Sequence, residues 1–135
     1  MRRSWQGRGA DAGAAVVDFV LVSALTTLVF VSLIQLALVV HVRNTLIDCA
    51  SEGARFGAFA DRTPADGAQR TRDLVTASLS AGYAADVTAG YASTAGLPTV
   101  EVTVTAPVPV LGLIGPGGTM TVRGHGAEES GEVDP

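Results

Sequence analysis

Asp18 stands at the head of an apolar run that continues from Phe19 to Val40 without another charge. A carboxylate there has two uses. It can mark the polar border of a membrane helix, in the headgroup zone where an acid costs little, or it can pair with an amine on a neighbouring helix, because an unpaired charge in lipid is heavily penalised. Gln35, farther along the run, can hydrogen-bond across helices for a gain of about 0.6–2 kcal/mol; a solitary Gln tolerated in lipid is the plain alternative. Glu52 and Arg55 are spaced as an ordinary solvated helix pair, worth about 0.2–0.5 kcal/mol. His41 and His125 have no second His, Cys or carboxylate at ligand spacing, so no metal is expected. The one cysteine, Cys49, excludes an internal disulfide and any multi-cysteine metal site. It reads as a small core residue, with an intermolecular disulfide outside the cell as the alternative. No nucleophile elbow, phosphate loop, zinc signature or glycosidase carboxylate pair occurs, and Gly115-Pro116-Gly117-Gly118 is a turn because no helical pattern follows it. The expectation is a chain that is not an enzyme and uses no cofactor and no small-molecule substrate.

These groups need a scaffold, and composition says which kind. The chain has 135 residues, 47% hydrophobic and 16% charged, with a mean hydropathy of +0.36. That balance argues against disorder and toward membrane. Residues 1 to 13 carry three Arg and one Asp, residues 14 to 42 a single Asp, and residues 43 to 135 six Arg and eleven acids. A basic head, a nearly uncharged middle and an acidic remainder do not suit a nucleic-acid binder, which needs clustered positive charge on its folded part. All nine basic residues are Arg, a usage that fits GC-rich bacterial coding.

Phe19 to Val40 is 22 residues without Pro or Gly, about 33 Å of helix at about 1.5 Å per residue. That length spans a bilayer and exceeds the apolar core of a cleaved secretory signal, whose small-residue cleavage site is also missing here. Arg2, Arg3 and Arg8 precede the run, and Arg43 and Arg55 follow it among Asp48 and Glu52. The positive-inside rule therefore places the N-terminus in the cytoplasm and the bulk of the chain outside.

The helix is expected to outlast the bilayer. Val42, Leu46, Cys49, Gly53, Phe56 and Ala60 alternate by four and three, a single stripe on one helix over residues 14 to 60, transmembrane at about 19 to 42. Thr63, Pro64 and Asp66 supply an N-cap, a first-turn proline and a first-turn acid for a second helix that runs to about Ala81 and stops at Gly82, with Leu74, Val75 and Leu79 inward. The period then changes to two. Val87, Ala89 and Tyr91, then Val100, Val102 and Val104, then Met120 and Val122 each alternate with small or polar residues, three antiparallel strands with a turn at residues 93 to 98. The fold class is α+β: a basic leader over 1 to 13, the long helix, a small extracytoplasmic domain over 61 to 126, and an acidic tail over 127 to 135. So small a domain, with few large apolar side chains, is expected to pack against the outer half of the helix. Val110, Leu111, Leu113 and Ile114 form an apolar stretch between Pro109 and Gly115-Pro116, read either as a lid over the sheet or as a contact with the membrane surface or a partner subunit.

Three stretches carry a family resemblance. Gly13-Ala14-Ala15-Val16-Val17-Asp18-Phe19 resembles the cleavage site of type IV pilins and pseudopilins, where a membrane peptidase cuts after the Gly and leaves an acid at the fifth mature position. Arg43-Asn44-Thr45-Leu46 and then Ala50-Ser51-Glu52-Gly53-Ala54-Arg55-Phe56-Gly57 resemble the stretch after the membrane helix in TadE-like proteins, minor pseudopilins of the tight-adherence (Flp) pilus machinery. The Val/Thr strand, Pro107-x-Pro109 turn, apolar loop and last Thr/Val strand are similar to that family as well, so the resemblance covers about residues 9 to 126. Two positions depart from the pattern: Asp18 stands where Glu is usual, and Gln35 where many members carry an acid.

The resemblance implies processing at Gly13 and Ala14, helix assembly through Asp18 and Gln35, and a family motif at Glu52, Gly53, Ala54 and Arg55. It also implies partners: other pilin or pseudopilin subunits, the pilus assembly platform, a prepilin peptidase and membrane lipid, with no nucleic acid. The rival expectation is an anchored extracytoplasmic binding module that never enters a filament.

Overall fold

The computed structural model describes residues 8–110 and 117–128. Its elements are α1 (Arg8–Gly57), α2 (Pro64–Ser78), a 3₁₀ turn (Ala81–Ala84), β1 (Asp86–Thr94), β2 (Leu97–Pro107) and β3 (Thr119–Ala127). The long helix, the second helix and the three-stranded antiparallel sheet make the α+β architecture expected from the periodicities. Two compact units divide the chain, residues 1–37 and residues 38–135. The last turns of α1 thus belong to the same unit as the sheet, and that unit begins well before residue 61.

In the first unit, α1 runs through Gly13 and the apolar stretch without a break, in a sequence free of Pro and rich in the strong helix formers Ala and Leu. Its hydroxyls are satisfied within the helix: Thr27 donates to the Ser23 carbonyl and Ser32 to the Leu28 carbonyl, both at 2.8 Å. That bonding lets small polar residues sit in an apolar medium without an orphaned donor.

In the second unit, α1 ends at Gly57, short of the expected residue 60, and a six-residue link leads to α2. Thr63 caps α2 through a complete capping box: its hydroxyl accepts from the Asp66 N–H, and Asp66 Oδ2 accepts from the Thr63 N–H at 2.8 Å. Those bonds hold the Asp66 carboxyl below the usual carboxylate range, the backbone N–H contributing most. The buried residues Pro64, Gly67, Ala68, Thr71 and Val75 form one face of α2. The helix stops at Ser78, three residues before the expected Ala81. The Leu79 backbone leaves the helical region, which keeps its side chain half-buried against the core, and Gly82 falls inside the following 3₁₀ turn.

The sheet order is β1-β2-β3. Register brings Val87, Ala89 and Tyr91 opposite Val104, Val102 and Val100, and these opposite Val122, Gly124 and Gly126. One face therefore carries the valines, which are buried, and the other carries Thr88, Glu101, Thr103, Thr105, Thr121, Arg123 and His125. Tyr91 remains 67% exposed because β1 is an edge strand with no neighbour beyond it. The turn between β1 and β2 is tighter than the expected 93 to 98. Thr94 pairs with Leu97, leaving Ala95 and Gly96 alone, both at positive φ (53° and 80°) as a two-residue type I′ hairpin requires.

The core forms where α1 meets α2 on one side and β3 on the other. A Cβ added at Gly53 would stand 2.6 Å from the Gly67 carbonyl oxygen and overlap the Thr71 hydroxyl; one added at Gly126 would stand 2.5 Å from the Ala54 carbonyl oxygen, and one at Gly124 would overlap the Ala50 and Ser51 backbone. Helix and strand backbones are thus in direct contact. Thr71 is fully buried and its hydroxyl reaches the Gly67 carbonyl at 2.9 Å and the Cys49 carbonyl at 3.4 Å, so its burial leaves no unmet donor.

Three outcomes test this packing in the full chain reconstituted in lipid. Gly124→Ala should destabilise the second unit by about 2 kcal/mol or more, since backbone must move to admit the methyl; hydrogen exchange of the β2 amides reads the loss. Ala95→Asn should stabilise it by roughly 0.5–1 kcal/mol, because Asn adopts positive φ more readily than Ala, seen as slower exchange of the same amides. The folded pKa of Asp66 lies below its unfolded value, so its contribution is complete above the usual carboxylate range and lost as pH falls through the folded value. Exchange of the α2 amides should rise over that acidic window, and Asp66→Asn should flatten the dependence.

Candidate assembly surfaces

From Val16 to Val40 fifteen large apolar side chains are between 45% and 73% exposed, among them Phe19, Leu28, Phe30 and Leu36, while Leu38 and Val39 are half-buried. Leaving fifteen such side chains in water forgoes on the order of 20 kcal/mol of burial, which exceeds the roughly 5–15 kcal/mol that holds a whole domain folded. The segment is a candidate membrane span by length and composition, and lipid or neighbouring helices are the media that would cover it.

Gly13, Ala14 and Asp18 all lie on α1 and are exposed, and the space a Cβ at Gly13 would enter is open. Asp18 follows Gly13 by five positions, so the carboxylate lies a little over one turn from that glycine. Gln35 is half-buried. The Glu52-Gly53-Ala54-Arg55 stretch divides by face. Gly53 and Ala54 are buried against α2 and β3, while Glu52 and Arg55 are exposed on the opposite side. No ion pair joins Glu52 to Arg55: among the described residues the pairs are Arg62 with Asp61 and His125 with Glu101. Val110 is 37% exposed; Leu111, Leu113 and Ile114, like the acidic tail from Glu129 onward, lie outside the described residues. Cys49 is a buried free thiol in the helix stripe.

The structure also joins residues that spacing alone could not pair. Glu101 and His125 are direct cross-strand partners on the outer sheet face, 2.8 Å apart. Their register was invisible in the sequence, although both belong to polar positions of alternating strands. Arg72 reaches from α2 to the Val87 carbonyl at 2.8 Å. Phe56 and Phe59 meet edge to face with centroids 6.4 Å apart, and the guanidiniums of Arg62 and Arg70 stand 4.7 and 5.9 Å from the Phe56 ring, close enough for cation–π attraction. A shallow depression of about 110 Å³ opens on the outer sheet face at Gly90, lined by Thr88, Tyr91, Glu101 and Thr103 among others. Glu101 is the one ionisable carboxylate there, and it is committed to His125. Among the described residues no three His, Cys, Asp or Glu stand together as a metal site would require.

The surfaces with uncovered chemistry are therefore the apolar length of α1 and the exposed flank of its far end. Comparison with curated proteins and with solved structures gave no match. A family model described as TadE-like protein matches residues 13–55, from the glycine at the head of the apolar run to the arginine of the Glu52–Arg55 stretch, and this length of the chain is accordingly similar to a family associated with tight-adherence pilus systems.

Proposed function

We propose that the chain is a minor pseudopilin of a tight-adherence or related type IV-like filament, anchored by α1 with its N-terminus in the cytoplasm and its second unit outside the bacterial cell membrane. It acts as a structural component and not as an enzyme. The observation that carries the reading is the continuity of α1: one unbroken helix contains the Gly13–Asp18 stretch, the uncovered apolar run and the glycine-bearing end that packs on the sheet. A subunit of this form can be held in lipid by the first length of the helix and enter a helical bundle with its neighbours by the same surface.

Its partners in this reading are other pilin or pseudopilin subunits and the assembly platform, and a prepilin peptidase prepares it by cutting between Gly13 and Ala14. The cut would place a new amine at Ala14. On a neighbouring helix staggered by about one turn, Asp18 meets that amine, and a charge pair in a low-dielectric medium is favourable only when both partners are present and close. Glu52 and Arg55, exposed and uncommitted to each other, are available to neighbouring subunits.

The intact mass of the assembled protein from its native host should correspond to a chain that starts at Ala14. Gly13→Leu should abolish the cut without straining the helix, since nothing stands near Gly13. Asp18→Ala should leave insertion and cutting intact and lower recovery in filaments. An assembled form that keeps Met1 to Gly13 would return the anchored binding module as the better reading.

A further inference from the structure

The direction of β3 along α1 locates one end of the second unit. Gly124 meets the backbone at Ala50 and Gly126 meets it at Ala54, so two residues of strand advance with four residues of helix. The rises agree, about 6.7 Å for the strand and about 6.0 Å for the helix. Continued at that ratio toward the start of β3, Val122 falls level with Leu46, Met120 with Val42, and Gly118 with Leu38. Gly118 accepts from the Val108 N–H at 2.8 Å, which fixes Val108 at the same level. Val108 and Leu38 both pack against the core of this unit.

Leu38 is also two residues from the end of the apolar run at Val40. Val108 and Gly118 therefore stand at the level where α1 passes from apolar to polar residues. The chemistry suits that place. The described residues Val102 to Val110 and Gly117 to Val122 carry no charge, and Val110 is 37% exposed and Val40 46% exposed. The nearest acid on the sheet, Asp86, stands opposite Thr105, two rungs inside the last pair, Pro107 with Thr119. On α1 the first charge at this end is the exposed Arg43, while Arg55, Arg62, Arg70 and Glu128 gather at the opposite end of the unit.

We infer that this end of the second unit rests on the lipid bilayer, with Val110 at the membrane interface beside the emerging α1. The occupant is a lipid surface: Val110 and Val40 are apolar and exposed, the first charge beyond them on α1, Arg43, stands where a guanidinium lies among lipid headgroups, and the patch continues the apolar surface of the helix at Val40. The contact gives the unit a second attachment besides α1. It rests on the reading of α1 as a membrane span.

The test uses the full chain in phosphatidylethanolamine–phosphatidylglycerol vesicles, with Cys49→Ala removing the native thiol. Single cysteines at Val110→Cys, Leu28→Cys and Ser93→Cys carry an environment-sensitive fluorophore, and lipids spin-labelled near the headgroup or, in a second sample, at mid-chain serve as quenchers. The expected result is quenching of Leu28 by the mid-chain label, quenching of Val110 by the headgroup label, and none at Ser93, beside the hairpin at the other end of the sheet. Quenching at Leu28 with Val110 as unaffected as Ser93 would overturn the membrane contact and leave the span intact. A Val110 probe shielded from water yet untouched by the spin label would overturn it in favour of a protein partner or a second copy. Quenching at none of the three would overturn the span and the contact together.

Discussion

Backbone contact between α1 and its two neighbours is the constraint on which the second unit depends. The largest fully buried side chains are Leu46, Thr71, Val75, Val100, Val102 and Val104, a small set for a unit of this size, and apart from Met120 the rest of the apolar core is Ala, Gly, Cys and further Val. Protein interiors reach crystal-like density, and small side chains reach it only if the main chains themselves come close. Gly53 with Gly67, and Gly124 and Gly126 with Ala50 and Ala54, remove the Cβ atoms that would stand between them. A glycine inside a helix costs about 1 kcal/mol relative to alanine. Here the loss is offset by dispersion contacts along a length of helix that no larger residue would permit.

That packing explains how the Glu52–Arg55 stretch can serve two purposes. On a helix, adjacent residues point about 100° apart, so a four-residue motif necessarily presents different faces. Gly53 and Ala54 are consumed in holding α2 and β3. Glu52 and Arg55, on the other side, carry charge to the surface and form no pair with each other.

The sheet is finished at its borders by local means. A two-residue hairpin leaves Val87, Ala89, Tyr91 and Ser93 with backbone groups directed away from β2, and such an open edge invites pairing with another chain. Arg72 occupies one of these groups, the Val87 carbonyl. Pro107 falls at the last rung of β2, past the end of β1, where its missing N–H would have had no acceptor. At the other end Pro98 still accepts from the Glu128 N–H, so the ladder closes on a carbonyl that needs no donor from the proline.

Much of this could be read from the chain alone, because the signals involved are local. The uncharged Phe19–Val40 run, the Thr63-Pro64-Asp66 helix start and the Val/Thr alternation each depend on residues within a few positions of one another. Boundaries were less legible. Gly57 and Ser78 end their helices earlier than the pattern suggested, and the hairpin closes on Ala95 and Gly96, because helix ends and turns answer to what the neighbouring element requires. The tertiary structure alone decided that Ala54 joins Gly53 on the inward face while Phe56 is only half-buried and Ala60 exposed, that Glu52 and Arg55 do not pair, that Glu101 meets His125, and that Tyr91 stays uncovered at the sheet edge. Register and interelement distance are relations between segments tens of residues apart. They are set by which small residues let two backbones touch, a property of the packed pair that neither segment carries in its own sequence.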